Sequence, residues 1–359
     1  MGKRVAYCTG FWCTNIGNAF FSMGVEKVLK ELLGDENVTL VSDIQTYTTS
    51  YGKRLYPDKN QLEYISNLDV DYIVLAGPVI SKYFLLLWGD ILEKLEKRGV
   101  RYILLSAGMM KMTESSLAEC SRFFEQHPPF MLSSREQNTY DAFAKYADYA
   151  YNGICFAFFA PDYYSPVNMG SKFIALNFDK ICEPEIFEKT KDFKGEGEFE
   201  LNGKAYNVKH TGLLTRVAHK TDRFSDALIY VASMLPQKKK VDYLGEYRVI
   251  RTDHRFHPHF RRKIYSQRNS FCADLPYGYL NIYANSSMTL SDRVHACAVT
   301  LAYGGSAMLF SKTDRVGLLD RVGAGEISKH PVKLDLDRLN HEKQNMKAWI
   351  RNVLVSTNI

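Results

Sequence analysis

The sequence lacks the features that mark disulfide-rich, membrane-spanning and disordered proteins. Its seven cysteines form no CxxC pair and leave one cysteine unmatched, which favours reduced thiols over a disulfide framework. The most apolar stretches, 71–80 and 83–88, are much shorter than the ~20 residues of a membrane-spanning helix. No secretory signal and no low-complexity tract are visible. We therefore expect a folded protein without a transmembrane segment, in a reducing, cytoplasmic compartment.

A strong charge imbalance is also missing. The formal net charge of +6 is modest for 359 residues, and lysine and arginine are scattered except in one segment. Such a distribution gives little support to a nucleic-acid partner and fits a phosphorylated or acidic small substrate better. With 46% hydrophobic and 24% charged residues, the chain is long enough to fill two hydrophobic cores.

What the sequence does contain is a regular alternation of short apolar runs and helical patterns. It begins with a strand at 5–9, a helix at 20–33 and a strand at 38–41, which is typical of a parallel sheet in an α/β protein. The charged segment 189–209 predicts a surface hairpin instead. The other predicted elements are strands at 72–76, 102–106, 131–133, 173–178, 247–251, 287–290 and 307–310, and helices at 85–97, 115–125, 136–146, 222–234, 277–284, 293–303 and 337–355.

The alternation pauses after Pro161-Asp162, and this pause indicates a domain boundary. We predict a first Rossmann-like domain at 1–165, a second at 166–335, and a C-terminal helix, 336–359, that packs back across the boundary. Two open α/β sheets that face one another form a ligand cleft at the carboxyl ends of their strands.

Three segments place polar or cationic residues where a strand gives way to a helix. In the turn 14–18, Asn15, Gly17 and Asn18 could offer unpaired N–H groups to an anion, or Thr14 or Asn15 could simply cap the helix. Arg135 could grip a phosphate or carboxylate, or form an ion pair with a neighbouring acid. Arg293 and His295 could converge on one anion at a helix start, although a histidine there is often structural.

Two further basic segments follow the same logic. Lys312 and Arg315 come after the strand at 307–310, either at the cleft or as solvated surface charges. The run 251–268 carries three histidines, His254, His257 and His259, with five arginines. No second cysteine or carboxylate cluster stands at a spacing that suits zinc, so a basic rim for a phosphorylated or lipid-pyrophosphate acceptor is the better functional interpretation, and a solvated face is the alternative.

The order of these segments resembles that of the polysaccharide pyruvyl transferases, and the similarity spans most of the chain. Its most specific part is the small-residue helix after an Arg-x-His step, 293–302, followed by Gly304-Gly305, a strand, a cation and two leucines. The residues that carry the resemblance are the turn 14–18, the strand 71–77, Arg135-Glu136, Pro161-Asp162 and the segment 291–295.

The resemblance implies a GT-B-like fold in which two Rossmann-like domains with parallel sheets face a central cleft. It also implies transfer of a pyruvyl group from phosphoenolpyruvate to hydroxyls of a sugar in a cell-surface polysaccharide or its precursor, with a pyruvate ketal as product. The first domain would then serve the acceptor and part of the donor site, and the second would serve the donor. No cofactor and no metal are implied. The acceptor could be lipid- or nucleotide-linked, with peripheral contact at the inner membrane surface as one option.

Site residues follow from the same resemblance. Arg135 and His295 match the family's donor-phosphate residues and are the predicted catalytic pair. The family's later lysine falls nearest Arg315, with Lys312 as the other candidate. Gly77-Pro78 departs from the family's glycine-rich turn. Because ketal formation needs proton exchange near neutrality, His295 is the expected acid, while Arg135 and Arg293 would neutralise phosphate charge. The other predicted donor-binding residues are Asn15, Gly17 and Asn18.

Two other functions fit the same architecture. A GT-B glycosyltransferase would use a nucleotide sugar in a similar basic cleft, and calorimetry with a nucleotide diphosphate would distinguish it. A non-catalytic sugar- or phosphate-binding relative would bind the donor without turnover.

Overall fold

A computed structural model describes residues 2–10, 12, 15–42, 62–110, 112–179, 181, 183–189, 197–209, 241–254, 268–310 and 314–356. The predicted helix at 222–234 and most of the basic run lie outside the described residues. The strands are β1 (Val5–Thr9), β2 (Val38–Ser42), β3 (Tyr72–Ala76), β4 (Arg101–Ala107), β5 (Met131–Ser134), β6 (Tyr149–Asn152), β7 (Phe173–Asn177), β8 (Glu185–Glu188), β9 (Gly197–Leu201), β10 (Lys204–Lys209), β11 (Tyr243–Leu244), β12 (Tyr247–Thr252), β13 (Ser270–Phe271), β14 (Met288–Ser291) and β15 (Ser306–Leu309).

The helices confirm the predicted pattern in the part of the chain that is described. They are α1 (Gly17–Leu33), α2 (Asp90–Lys97), α3 (Glu114–Gln126), α4 (Gln137–Phe143), α5 (Ala160–Tyr163), α6 (Tyr277–Asn285), α7 (Val294–Ala302), α8 (Gly317–Asp320) and α9 (Leu336–Ser356). A π-helical turn (Leu85–Gly89) leads into α2. Short 3-10 helices are found at Asp35–Asn37, Glu63–Asn67, Ala144–Tyr146, Phe156–Phe159, Asp314–Val316 and Gly325–Ser328.

The first sheet is parallel throughout and has the strand order β2-β1-β3-β4-β5-β6. Side chains of β1 alternate between its two faces: Val5 and Tyr7 join the core cluster that includes α1, and Ala6 and Cys8 join the cluster that includes α2 and α3. Helices thus cover both faces, as a parallel sheet requires. The carboxyl ends of all six strands consequently lie at one edge.

The second sheet has the order β11-β12-β7-β14-β15, with β13 paired to β12, and only β11 runs antiparallel. One face packs against α6 and α7. The other is covered by a three-stranded antiparallel sheet, β8-β10-β9, through Phe199 and Tyr206. Within the hairpin predicted at 189–209, the structure confirms the paired strands β9 and β10, joined by Asn202 and Gly203 with positive φ; residues 190–196 lie outside the described residues. The hairpin buries one of its faces, so it completes this core.

The two halves share one buried cluster, in which α1 and the segment 156–160 contact α7. The helix α9 also packs on the first half: Lys343 Nζ lies 2.5 Å from Asp162 Oδ1, and the Trp349 ring stacks on Tyr151. The domain limits at 165 and 335 stay predictions. Within the described ranges, no helix combines the length and apolar character needed to cross a bilayer.

Candidate functional site

Arg135 begins the site on the side of the first sheet. It follows β5, its side chain is only 1% exposed, and its backbone N–H donates to the Ala107 carbonyl. The guanidinium packs closely against Gly108, where a Cβ atom would stand 2.7 Å from Nε and 2.8 Å from Nη2. Nε and Nη1 are both buried and have no hydrogen-bond partner among the described residues. Because a buried charged group without a partner is costly, this guanidinium is arranged to receive an anion.

Arg293 and His295 supply the opposite side, from the second sheet. The Ser291 hydroxyl at the end of β14 accepts the Arg293 N–H at 2.8 Å, and Arg293 stays extended, so α7 begins one residue later. No side chain caps α7, and its first turn carries the positive end of the helix dipole. Arg293 Nε is ion-paired with Asp179, while its Nη2 is buried and has no hydrogen-bond partner in the part of the chain that the structure describes.

The electrostatics of His295 show that the cations share one region. Burial lowers the pKa of His295 well below its ordinary value, and the charges of Arg135, Arg315 and Arg293 lower it further. Burial also lowers the pKa of Arg315 to about 10, with Arg135 and Arg293 adding repulsion and Glu136 opposing it. Three arginines therefore repel one another around a histidine that is neutral at pH 7.

The turn before α1 reaches the same place. Asn15 Oδ1 accepts the Gly17 N–H at 3.2 Å, and the side chains of Asn15 and Asn18 lie 3.4 Å apart. Ile16 is the N-cap, and its side chain cannot cap the helix. A Cβ on Gly17 would stand 3.0 Å from His254 Nδ1 and 3.3 Å from His295 Cβ. The N-termini of α1 and α7 therefore meet, and glycine is what permits the close approach.

Two neighbours of His295 were not assigned to this site from sequence. His254 lies just beyond β12 and is 1% exposed. Its position after a predicted strand was the available signal, but the basic run around it was considered as a metal site and interpreted as a surface rim. Cys155 Sγ lies 3.8 Å from His295 Nε2, and burial raises the pKa of this thiol. No sequence pattern pointed to Cys155.

The structure thus brings together Arg135, Arg293, His295, Arg315 and Gly17, with Asn15 and Asn18 at the edge. Lys312 lies outside the described residues, so the choice between Lys312 and Arg315 stays open. Three guanidinium groups and an uncapped helix start suit a small anion with more than one negative charge. The roles of these residues in donor binding stay predictions.

Comparison with solved structures gives the class of fold. The structure of Staphylococcus aureus MnaA with UDP is similar to this chain, with 12% sequence identity and a TM-score of 0.50. The aligned region covers 99% of this chain and 92% of the MnaA chain. The structure of Neisseria meningitidis UDP-GlcNAc 2-epimerase with UDP-GlcNAc has 10% sequence identity to this chain and a TM-score of 0.46. Its aligned region covers 99% of this chain and 93% of the epimerase chain. The fold is GT-B-like: α/β, with two largely parallel sheets.

The sequence itself narrows the class further. The family model described as polysaccharide pyruvyl transferase matches residues 15–311, from the turn before α1 to the end of β15. The chain therefore belongs to the polysaccharide pyruvyl transferase family. No curated protein matches the sequence significantly.

Proposed function

We propose that the protein transfers the pyruvyl group of phosphoenolpyruvate to hydroxyls of a sugar and releases inorganic phosphate. The observation that carries this proposal is the unmatched Arg135 guanidinium, buried beside Arg293, Arg315 and the start of α7. Phosphoenolpyruvate carries a phosphate and a carboxylate on three carbons, so one molecule can neutralise several of these cations at once. Family membership supports a pyruvyl donor, and the site supports an anionic one.

The proton inventory follows from the charges. In the free protein His295 is neutral, because burial and the surrounding arginines depress its pKa. A bound phosphoenolpyruvate brings negative charge, which favours the protonated imidazole and moves the pKa upward. His295 is therefore proposed to take up a proton as the donor binds, to contact the donor phosphate and then to act as the acid.

The chemistry balances with two hydroxyls. The enol carbon C3 gains a proton and becomes a methyl group, while the first sugar oxygen bonds to C2. The second sugar oxygen then replaces phosphate at C2, and the two hydroxyl protons are conserved between the methyl group and the released phosphate. The three arginines are proposed to stabilise the negative charge on the departing phosphate.

The acceptor is proposed to be a saccharide of a cell-surface polysaccharide or its precursor. A lipid-linked acceptor would place the reaction at the inner membrane surface. Turnover of the same saccharide presented free and in anionic lipid vesicles tests this: a rate that rises only with vesicles supports the membrane location, and equal rates oppose it.

The decisive experiment incubates phosphoenolpyruvate with a panel of saccharides and measures phosphate release and saccharide mass. A ketal and an enolpyruvyl ether have the same mass, so proton NMR must separate a methyl signal from a vinylidene signal. His295→Ala should abolish phosphate release with the fold intact, whereas His330→Ala, at an exposed histidine, should not change it. Turnover of a nucleotide sugar instead, or donor binding without turnover across the panel, would refute the proposal.

A further inference from the structure

His254 is held by its backbone between the two halves of the molecule. Its N–H donates to Asp179 Oδ2 at 3.0 Å, and its carbonyl accepts the Ile16 N–H at 2.8 Å. The other oxygen of the same Asp179 carboxylate pairs with Arg293. His254 is therefore fixed relative to both the start of α1 and one of the site arginines.

The His254 side chain has one satisfied nitrogen and one unsatisfied nitrogen. Nε2 lies 2.6 Å from the Tyr283 hydroxyl, which lies 2.8 Å from Thr252 Oγ1. Nδ1 is buried, has no hydrogen-bond partner within the described ranges, and faces Gly17, next to His295. The rings of Phe20 and Tyr279 contact the imidazole edge-on, so they hold its orientation.

The hydrogen-bond chain determines which nitrogen carries the proton. Burial lowers the pKa of His254 to about 3, so the ring is neutral at pH 7 and has one donor and one acceptor nitrogen. If Thr252 donates to Tyr283 and Tyr283 donates to Nε2, every hydroxyl hydrogen is used and Nδ1 keeps its hydrogen. The reverse direction would leave the Thr252 hydroxyl hydrogen without a protein acceptor among the described residues, at a cost in free energy.

We propose that the Nδ1–H of His254 donates a hydrogen bond to an anionic oxygen of the donor substrate, and that Tyr283 and Thr252 are positioning residues which fix this tautomer. The proposal rests on the proposed function for the identity of the donor. The Nδ1–H of His254 would add an uncharged hydrogen-bond donor to a site that already contains three arginines. A neutral donor can hold an oxygen there without adding to the mutual repulsion of the guanidinium groups.

Two isosteric substitutions separate the ligand contact from the structural contact. The amide nitrogen of asparagine takes the place of Nδ1 as a donor, and the amide oxygen of glutamine can take the place of Nε2 as the acceptor of the Tyr283 hydroxyl. His254→Gln should keep the bond to Tyr283 and weaken phosphoenolpyruvate binding roughly 10- to 100-fold, as expected for a lost hydrogen bond to a charged group. His254→Asn should bind more tightly than His254→Gln. The matched control is His330→Gln, which should bind like the wild type.

Nitrogen NMR of histidine-labelled wild-type protein provides a test that needs no substitution. Phosphoenolpyruvate should shift the Nδ1 signal of His254; a matching shift with inorganic phosphate assigns the contact to the phosphate, and one with pyruvate alone assigns it to the carboxylate. A His295 shift without a His254 shift would overturn this inference and leave the proposed function intact. A His254 shift with phosphate in a protein that shows no turnover would support the contact and refute the function. Equal affinities of the two His254 variants, or the reverse order, would also overturn the inference.

Discussion

Two buried arginines, Arg135 and Arg251, stand at the carboxyl edges of the two sheets, and they differ in how their charge is matched. Arg251 donates to both oxygens of Glu183, at 2.9 and 3.0 Å, and to the Val241 carbonyl at 2.7 Å. Arg135 is at least as buried, yet its Nε and Nη1 have no partner in the described part of the chain, whereas on Arg251 only Nη1 has none there. Burial alone therefore does not identify a functional arginine; the informative feature is a charge that the protein leaves unmatched.

The space next to each arginine supports the same distinction. Beside Arg251 there is a cavity of about 10 Å³, lined also by Asp253 and Ser270, which is room for about one water molecule. Around Arg135 the neighbouring charges include two cations, Arg293 and Arg315, which repel one another, and the Glu136 carboxylate, which opposes that repulsion. The charge of Arg251 is paired with Glu183 although its Nη1 has no hydrogen-bond partner among the described residues, whereas two nitrogens of Arg135 have none.

The sharpest way to test this contrast is to remove each charge in turn. Arg135→Gln should lower kcat/KM for phosphoenolpyruvate by roughly 10²–10³-fold, because a transition-state contact is lost. Without ligand its Tm should stay equal or rise, because repulsion with Arg293 and Arg315 is relieved. Arg251→Gln should instead lower the free energy of unfolding by about 3–5 kcal/mol, because the buried Glu183 carboxylate loses the charge and both hydrogen bonds of Arg251.

The same pair can be compared by thermal shift with ligand. Phosphoenolpyruvate at 100 times its Kd should stabilise the wild type by about 2.7 kcal/mol. Arg251→Gln should keep this increment on a lower baseline, and Arg135→Gln should lose it. The contrast between the two arginines fails if Arg135→Gln destabilises the free protein as much as Arg251→Gln does.

The free energy of unfolding at acid pH tests whether His254, which lies beside the unmatched arginine charges, is buried in its neutral form. The folded-state pKa of His254 is about 3, against ~6.5 when unfolded, so between these values only the unfolded chain binds the proton. The resulting loss of stability should begin as the pH falls below ~6.5 and reach about 1.4 kcal/mol per pH unit for this group. Denaturant unfolding of wild type and His254→Asn from pH 7 to 4 measures it, and parallel curves would contradict the assignment.

A smaller effect is expected from adding a methyl group at Gly17, where the starts of α1 and α7 approach each other. Gly17→Ala would place a methyl group 3.0 Å from His254 Nδ1 and 3.3 Å from His295 Cβ, so one of them must shift. We expect phosphoenolpyruvate affinity to fall roughly tenfold, equivalent to about 1.4 kcal/mol. Gly89→Ala is the control, because its nearest neighbours would be 3.9 Å away. Equal phosphoenolpyruvate affinities of Gly17→Ala and Gly89→Ala by calorimetry would show that the close approach at Gly17 is not part of the site.

The smallest effect should come from an arginine that is matched but exposed. Arg4 makes two bonds to Asp69, at 2.8 and 3.0 Å, with both side chains largely in solvent. Solvent screens such a pair, so Arg4→Gln should change neither Tm nor turnover measurably. A clear drop in Tm would mean that pairing an arginine with a carboxylate stabilises the protein whether or not the pair is buried.

The apolar runs of the sequence were sufficient to predict most elements of both sheets, because a strand covered on both faces leaves a continuous hydrophobic signal. Thus β1 and β3 were predicted at their observed limits. The strand β6 was missed because its residues, Tyr149–Asn152, are mostly half-exposed and carry no β-branched side chain. The strand β13, with two residues, is too short for any periodicity.

For the site, the sequence determined which residue types stand at strand ends and helix starts, and this was enough to nominate Arg135, Arg293 and His295. Only the tertiary structure decided that these three meet, that His254 joins them, and that Arg251 is matched while Arg135 is not. The reason is that strand–helix junctions are local and leave a pattern in the chain, whereas the pairing of a charge depends on groups brought together from distant segments. Glu183 lies 68 residues from Arg251, and no periodicity records that contact.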